Sequence, residues 1–103
     1  MTPSREQIQL VDVLAAIGHP VRAKIVKVLA DGAERPCRGI APDVPKSTLT
    51  SHWRVLTDSG VIYQRPVGRN LFITLRRDDL DARFPGLIDL VIQQEEVDDP
   101  HDA

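Results

Sequence analysis

The stretch Pro45-Lys46-Ser47-Thr48-Leu49-Thr50-Ser51-His52-Trp53-Arg54-Val55-Leu56-Thr57-Asp58-Ser59-Gly60 decides how this chain is read. Leu49, Trp53 and Leu56 recur at i, i+4 and i+7, the period of a helix with one apolar face. Lys46, Thr48, Ser51, His52 and Arg54 then point outward, and Ser47 and Thr50 join them as candidate contact residues. Apart from two cations these side chains are small or hydrogen-bonding, and no acid appears before Asp58. A solvated helix face ordinarily mixes Glu with Lys. Short hydroxyls with a few cations instead permit close approach to a duplex, donate to phosphates and read base edges in the major groove.

Beyond Gly60, Val61–Arg65 reads as a strand and Leu71–Leu75 as its partner. Pro66-Val67-Gly68-Arg69-Asn70 between them holds residues that tolerate positive φ in a hairpin turn. Arg65, Arg69 and Asn70 are the candidate nucleic-acid contacts of that hairpin. On the N-terminal side, a helix over Ser4–Ile17 carries Ile8, Val11, Leu14 and Ala15 on one face, with Ser4 and Gln7 spaced as a capping box. Gly18-His19-Pro20 breaks the chain, giving His19 a structural place. A second helix then starts on Pro20 and stops at Asp31-Gly32, with Arg22, Lys24 and Lys27 on its polar side. Pro36, Gly39, Pro42 and Pro45 leave space for only a turn or so of helix around Arg38–Ala41. Asp78–Asp81 is a polar helix start. From Pro85 a last helix is apolar nearly all round (Leu87, Ile88, Leu90, Val91, Ile92) and so calls for a cover.

A chain of 103 residues is one domain, read as residues 1–94 followed by an acidic, disordered tail over 95–103. With 42% hydrophobic and only 4% aromatic residues, the core is built from Leu, Ile, Val and Ala. A single cysteine excludes a disulfide framework and a zinc ribbon. The lack of a long apolar run or a basic-then-apolar leader points to a soluble cytoplasmic protein. The net charge of −2 hides an uneven distribution. Residues 1–77 hold twelve of the thirteen Lys and Arg against six acids, whereas residues 78–103 hold one against nine. Such asymmetry favours nucleic-acid contact through the basic part. No nucleophile–base set and no Gly-rich phosphate loop is present, so neither an enzyme nor a cofactor is expected.

Two segments carry a resemblance to a known family. Ala16-Ile17-Gly18-His19-Pro20-Val21-Arg22-Ala23-Lys24-Ile25 is similar to the "LADPTRRRIL" opening of the ArsR family of bacterial repressors. Ser47–Leu56 followed by Ser59-Gly60-Val61-Ile62 resembles that family's "STVSHHLRVLREAGLV" stretch. The resemblance spans roughly residues 8–92. It implies a winged helix-turn-helix: mainly α, with a two-stranded β-wing, dimerising through the first and last helices. The partners implied are double-stranded DNA and a second copy of the chain, in a repressor released by an effector. Ile8, Val11, Leu14, Phe84, Leu87, Ile88, Val91 and Ile92 supply the apolar dimer surface. The chain departs from the family in compressing the positioning helix to Ile40–Pro45 and in placing Trp53 where Leu is usual.

Relatives that sense metals do so through paired cysteines on the positioning helix, or through His and carboxylates on the last helix. Only Cys37 lies near the first position, and Asp89 has no histidine beside it before His101, so no metal site is expected. Asp98, Asp99, His101 and Asp102 sit in the tail, without fixed geometry for an ion. The effector expected is a small apolar molecule between the terminal helices and the body. Two alternatives stand beside this reading: a winged helix used for protein contact alone, and a redox regulator whose Cys37 thiolate is favoured by Arg35 and Arg38.

Overall fold

The computed structural model describes residues 2–94, and the elements follow in the order α1 (Leu10–Ile17), α2 (Pro20–Val28), β1 (Arg35–Pro36), α3 (Lys46–Asp58), β2 (Ile62–Val67), β3 (Asn70–Leu75), α4 (Arg77–Arg83) and α5 (Leu87–Gln93). The tail from Glu95, with its acidic cluster and His101, lies outside the described residues.

The first helix is shorter than its periodicity suggests. Arg5–Gln7 forms one 3-10 turn, held where the Ser4 amide donates to Gln7 Oε1 at 2.9 Å. Ile8 and Gln9 are then extended before α1 begins at Leu10. That break rotates Ile8 out of the helical phase and into the core, where it is 0% exposed. Ile88, on the inner side of α5, is equally buried. Both were expected on a dimer surface, and both are corrected to core residues of the subunit. α2 starts on Pro20, whose missing N–H is no loss at that position. His19 caps it, its Nδ1 accepting from the Val21 amide at 3.1 Å.

β2 and β3 form the expected antiparallel hairpin, in register from Ile62↔Leu75 to Val67↔Asn70. The strands run further than their apolar pattern indicates, leaving a two-residue turn of Gly68 and Arg69. Gly68 has φ +60, which the first turn position of such a hairpin demands. A third strand adds to the wing: Arg35 and Pro36 pair with Ile73 and Phe72, giving the order β1-β3-β2. Two residues including a proline carry no strand periodicity, so β1 was invisible in the sequence.

The segment Cys37–Pro45 contains turns and no helix. Its start is tied to the wing by the Cys37 amide donating to Leu71 O at 2.7 Å, and its middle by Val44 N donating to Ala41 O at 3.1 Å. Pro42 and Pro45 within it remove donors that a helix would use. The core lies between α1, α2, α3 and the sheet, around Val13, Ile25, Leu29, Leu56, Ile62 and Ile73.

Arginines lock the periphery. Arg76, 3% exposed, donates to Asp79 at 2.9 Å and to Pro3 O at 2.6 Å, with its guanidinium 4.3 Å from the Tyr63 ring centroid. Burial works against the Asp79 carboxylate, yet hydrogen bonds from Arg5 and Arg76 hold its pKa below the usual carboxylate value. Arg77 spans Asp81, Asp89 and the Ala30 carbonyl, fastening α4 and α5 to the end of α2.

Candidate nucleic-acid interface

α3 divides its residues sharply. Leu49 is half-buried, while His52, Trp53 and Leu56 are buried. Lys46, Ser47, Thr48, Thr50, Ser51 and Arg54 are exposed. The helix opens on Pro45 with no side-chain cap, so its first amides are free to meet an anion at the positive end of the helix dipole. Thr50 Oγ1 donates back to Lys46 O at 3.0 Å, leaving the hydroxyl oxygen's lone pairs outward as acceptors.

His52 is not on that face. It is 6% exposed, with Nδ1 3.0 Å from Arg22 Nη1 and its ring centroid 4.7 Å from that of His19. The reason is the helical period itself: His52 sits three residues after Leu49 and four before Leu56, inside the same buried stripe. Since Arg22 can only donate, Nδ1 accepts and a neutral His52 carries its proton on Nε2. Burial, then the charges of His19 and Arg22, depress the His52 pKa below its ordinary value. Arg22, assigned by the sequence to the polar side of α2, instead donates through Nε to Ala16 O at 2.5 Å and so links α1, α2 and α3. The sequence held a signal for this trio, because His19 and Arg22 lie three apart and share one helix face.

The wing is fixed to α3 by Gln64, whose Nε2 donates to Trp53 O at 3.3 Å and Thr57 Oγ1 at 2.5 Å. Arg69 and Asn70 stand exposed at its tip. Arg65 does not share that freedom. It makes a two-pronged pair with Glu34 at 2.8 and 2.5 Å and lies 5.5 Å from the Phe72 ring centroid. The hydrogen bonds from Arg65 hold the Glu34 carboxyl below its usual pKa. Arg65 therefore braces the wing against the β1 approach, with its charge already answered.

Five arginines, Arg5, Arg35, Arg65, Arg76 and Arg77, are spent in ion pairs among the described residues. Lys46, Arg54 and Arg69 have no ion pair there, and Arg38 joins them at the edge of α3. Of the cations outside ion pairs, Arg38, Lys46 and Arg69 gather where α3 meets the wing tip, while Lys24 stands exposed on α2. Cys37 is half-buried with no second cysteine, and Arg35 turns to Asp31 at 2.8 Å rather than to the thiol. Among the described residues no group of three or more His, Cys, Asp or Glu could hold a metal ion, and no helix is long and apolar enough to cross a membrane.

Neither a family model nor a curated protein matches the sequence. Solved structures do. An ArsR family transcriptional regulator, 21% identical, superposes with a TM-score of 0.64 over 92% of this chain and 100% of its own. A possible transcriptional regulator for arsenical resistance, 29% identical, does so with a TM-score of 0.61 over 89% of this chain and 96% of its own. The chain has the ArsR-type winged-helix fold. In this ArsR-type frame α3 holds the recognition-helix position and the Gly68-Arg69 turn is the wing tip, so the exposed candidate residues lie on the two elements that such a domain presents together.

Of the expected dimer surface, Val11 (75% exposed) and Leu14 lie open on α1 and Ile92 on α5; Leu10 and Leu90 (60% exposed), outside that expectation, are open as well. Phe84, Leu87 and Val91 are half-buried beside them. An open cleft of about 610 Å³ runs between α1 and the Phe84–Leu90 segment, where the effector was expected.

Proposed function

We propose that this ArsR-type winged helix is a transcriptional regulator, a repressor, that binds duplex DNA as a homodimer. The observation that carries the reading is the acid-free exposed face of α3 from Lys46 to Arg54, standing beside an unpaired cationic wing tip. α3 enters the major groove with Ser47, Thr48, Ser51 and Arg54 toward base edges and phosphates. Lys46 and the α3 amides take the backbone, and Arg69 and Asn70 reach phosphates or the neighbouring minor groove. Arg65 and His52 serve by holding these elements in place.

One recognition helix covers too few bases to specify a genomic site, so two copies read a near-palindrome with half-sites about one helical turn apart. The open faces of α1 and α5 bring the copies together and fill the cleft between them. Selection of bound duplexes from a random pool at several salt concentrations tests the reading. Enrichment of a near-palindrome, with affinity falling by about 0.9 log unit per log unit of salt for each phosphate neutralised, is the expected result. A pool that enriches no symmetric site overturns it in favour of a protein-contact module.

A further inference from the structure

A cavity of about 380 Å³ opens between the Cys37–Pro45 segment, α3 and the wing tip. The sequence explains why it is there. Two turns interrupted by Pro42 and Gly39, the latter with φ +84, cannot fill this corner as a positioning helix would. The Cys37–Leu71 hydrogen bond holds one wall and Gln64 holds the other, so the gap is built into the frame. Its floor is apolar, made by Leu49, Trp53, Leu71, Val44 and Ala41. Its rim carries three cations, Arg38, Lys46 and Arg69, and no Asp or Glu lines it among the described residues. The volume falls within the range of about 300–1,000 Å³ usual for small-molecule sites.

We infer that this cavity is an effector site for an apolar monoanion, a medium-chain or aryl carboxylate, whose occupancy displaces DNA. An apolar body rests on Trp53 and Leu49, removing surface from water, while the carboxylate meets Arg38 and Arg69 at the mouth. A neutral molecule of the same shape leaves those cations unanswered, and a cation is repelled. The site lies away from the cleft of the terminal helices, where the effector was first expected. Lys46, Thr50, Arg69 and Asn70 line the cavity and also belong to the proposed DNA contact set. An anion held there offsets the charge that phosphates need and stands between helix and wing tip, so competition is direct. This consequence rests on the DNA-binding reading; binding of the anion does not.

The test uses the whole chain with octanoate and its neutral isostere octanamide as probes. Trp53 is the one tryptophan in the sequence and lines this cavity, so its fluorescence reports on the site. Octanoate shifts the Trp53 emission saturably and binds about tenfold more tightly than octanamide by calorimetry. Arg38→Gln and Arg69→Gln each weaken octanoate by about tenfold and leave octanamide unchanged. Octanoate then releases a selected duplex, and octanamide does not. Equal affinity for both probes, a Trp53 signal that ignores octanoate, or octanoate binding indifferent to both variants overturns the site. A chain that binds no DNA yet discriminates the probes keeps the site and removes the DNA reading. A chain that binds DNA while Trp53 ignores octanoate does the reverse.

Discussion

At the scale of single residues, Arg54 and His52 lie on opposite sides of one helix and answer different questions. Arg54 is exposed and carries no ion pair among the described residues. Arg54→Ala is expected to weaken specific DNA binding by about 1–3 kcal/mol where the guanidinium spans a guanine edge. Gel-shift titration against the selected duplex measures it, and an unchanged affinity removes Arg54 from the interface. His52 instead couples stability to pH. Its folded-state pKa lies below the unfolded value of about 6.5, so the unfolded chain binds the proton more readily. Stability is therefore whole above about pH 6.5 and declines as pH falls through that value toward the folded pKa. Asp31, Glu34 and Asp79, also depressed, add their losses only below their own unfolded values, about pH 4.5 and under. Urea unfolding at pH 7.5 and 5.5 should show the decline, and His52→Gln should flatten it; an equal decline in the variant places the titration elsewhere.

At the scale of elements, the joint between α3 and the wing leaves no room for a side chain. Gly60 turns the chain from α3 into the wing at φ +87, and an added Cβ would lie 2.7 Å from Ile8 Cγ1 and 3.0 Å from Pro3 Cγ. Ile8 is wholly buried and cannot give way. Gly60→Ala is expected to lose about 1–2 kcal/mol from the left-handed backbone alone, with the clash added. Gly68→Ala, at φ +60 with nothing within 4 Å, meets the backbone term without the clash. Thermal denaturation of the pair separates the two; equal losses would contradict the contact. The elements themselves were largely legible, because α2, α3 and the wing hairpin carry full periods and their own stop signals. The 3-10 turn that buries Ile8, the two-residue β1 and the inward His52 were not read. In each case long-range packing, or one residue on the margin of a stripe, decided the outcome. Charge was misjudged for the same reason. Sequence counts cations, but only the fold shows that Arg65 and Arg77 are already bound to carboxylates.

At the scale of the whole molecule, two surfaces are left for other molecules, one polar and cationic, one apolar. Val11, Leu14 and Leu90 keep about half or more of their surface open in the subunit, and their further burial in a pair follows from the proposed dimer. Leu90→Glu is expected to yield a folded monomer by sedimentation, with circular dichroism unchanged and operator affinity reduced by orders of magnitude. A Leu90→Glu dimer as stable as the parent places the interface elsewhere. The exposed cations of α3 and the wing tip also make association with an anionic partner electrostatic, so added salt slows it.

The central claim is that the exposed face of α3 and the wing tip meet duplex DNA. Amide chemical-shift mapping of labelled protein, titrated with a selected duplex, tests it residue by residue. The account predicts shifts concentrated at Lys46–Arg54 and Gly68–Asn70, with Val11 and Leu90 unmoved at fixed dimer concentration. Shifts confined to α1 and α5, or spread evenly over the cationic side chains without favouring α3, would contradict it.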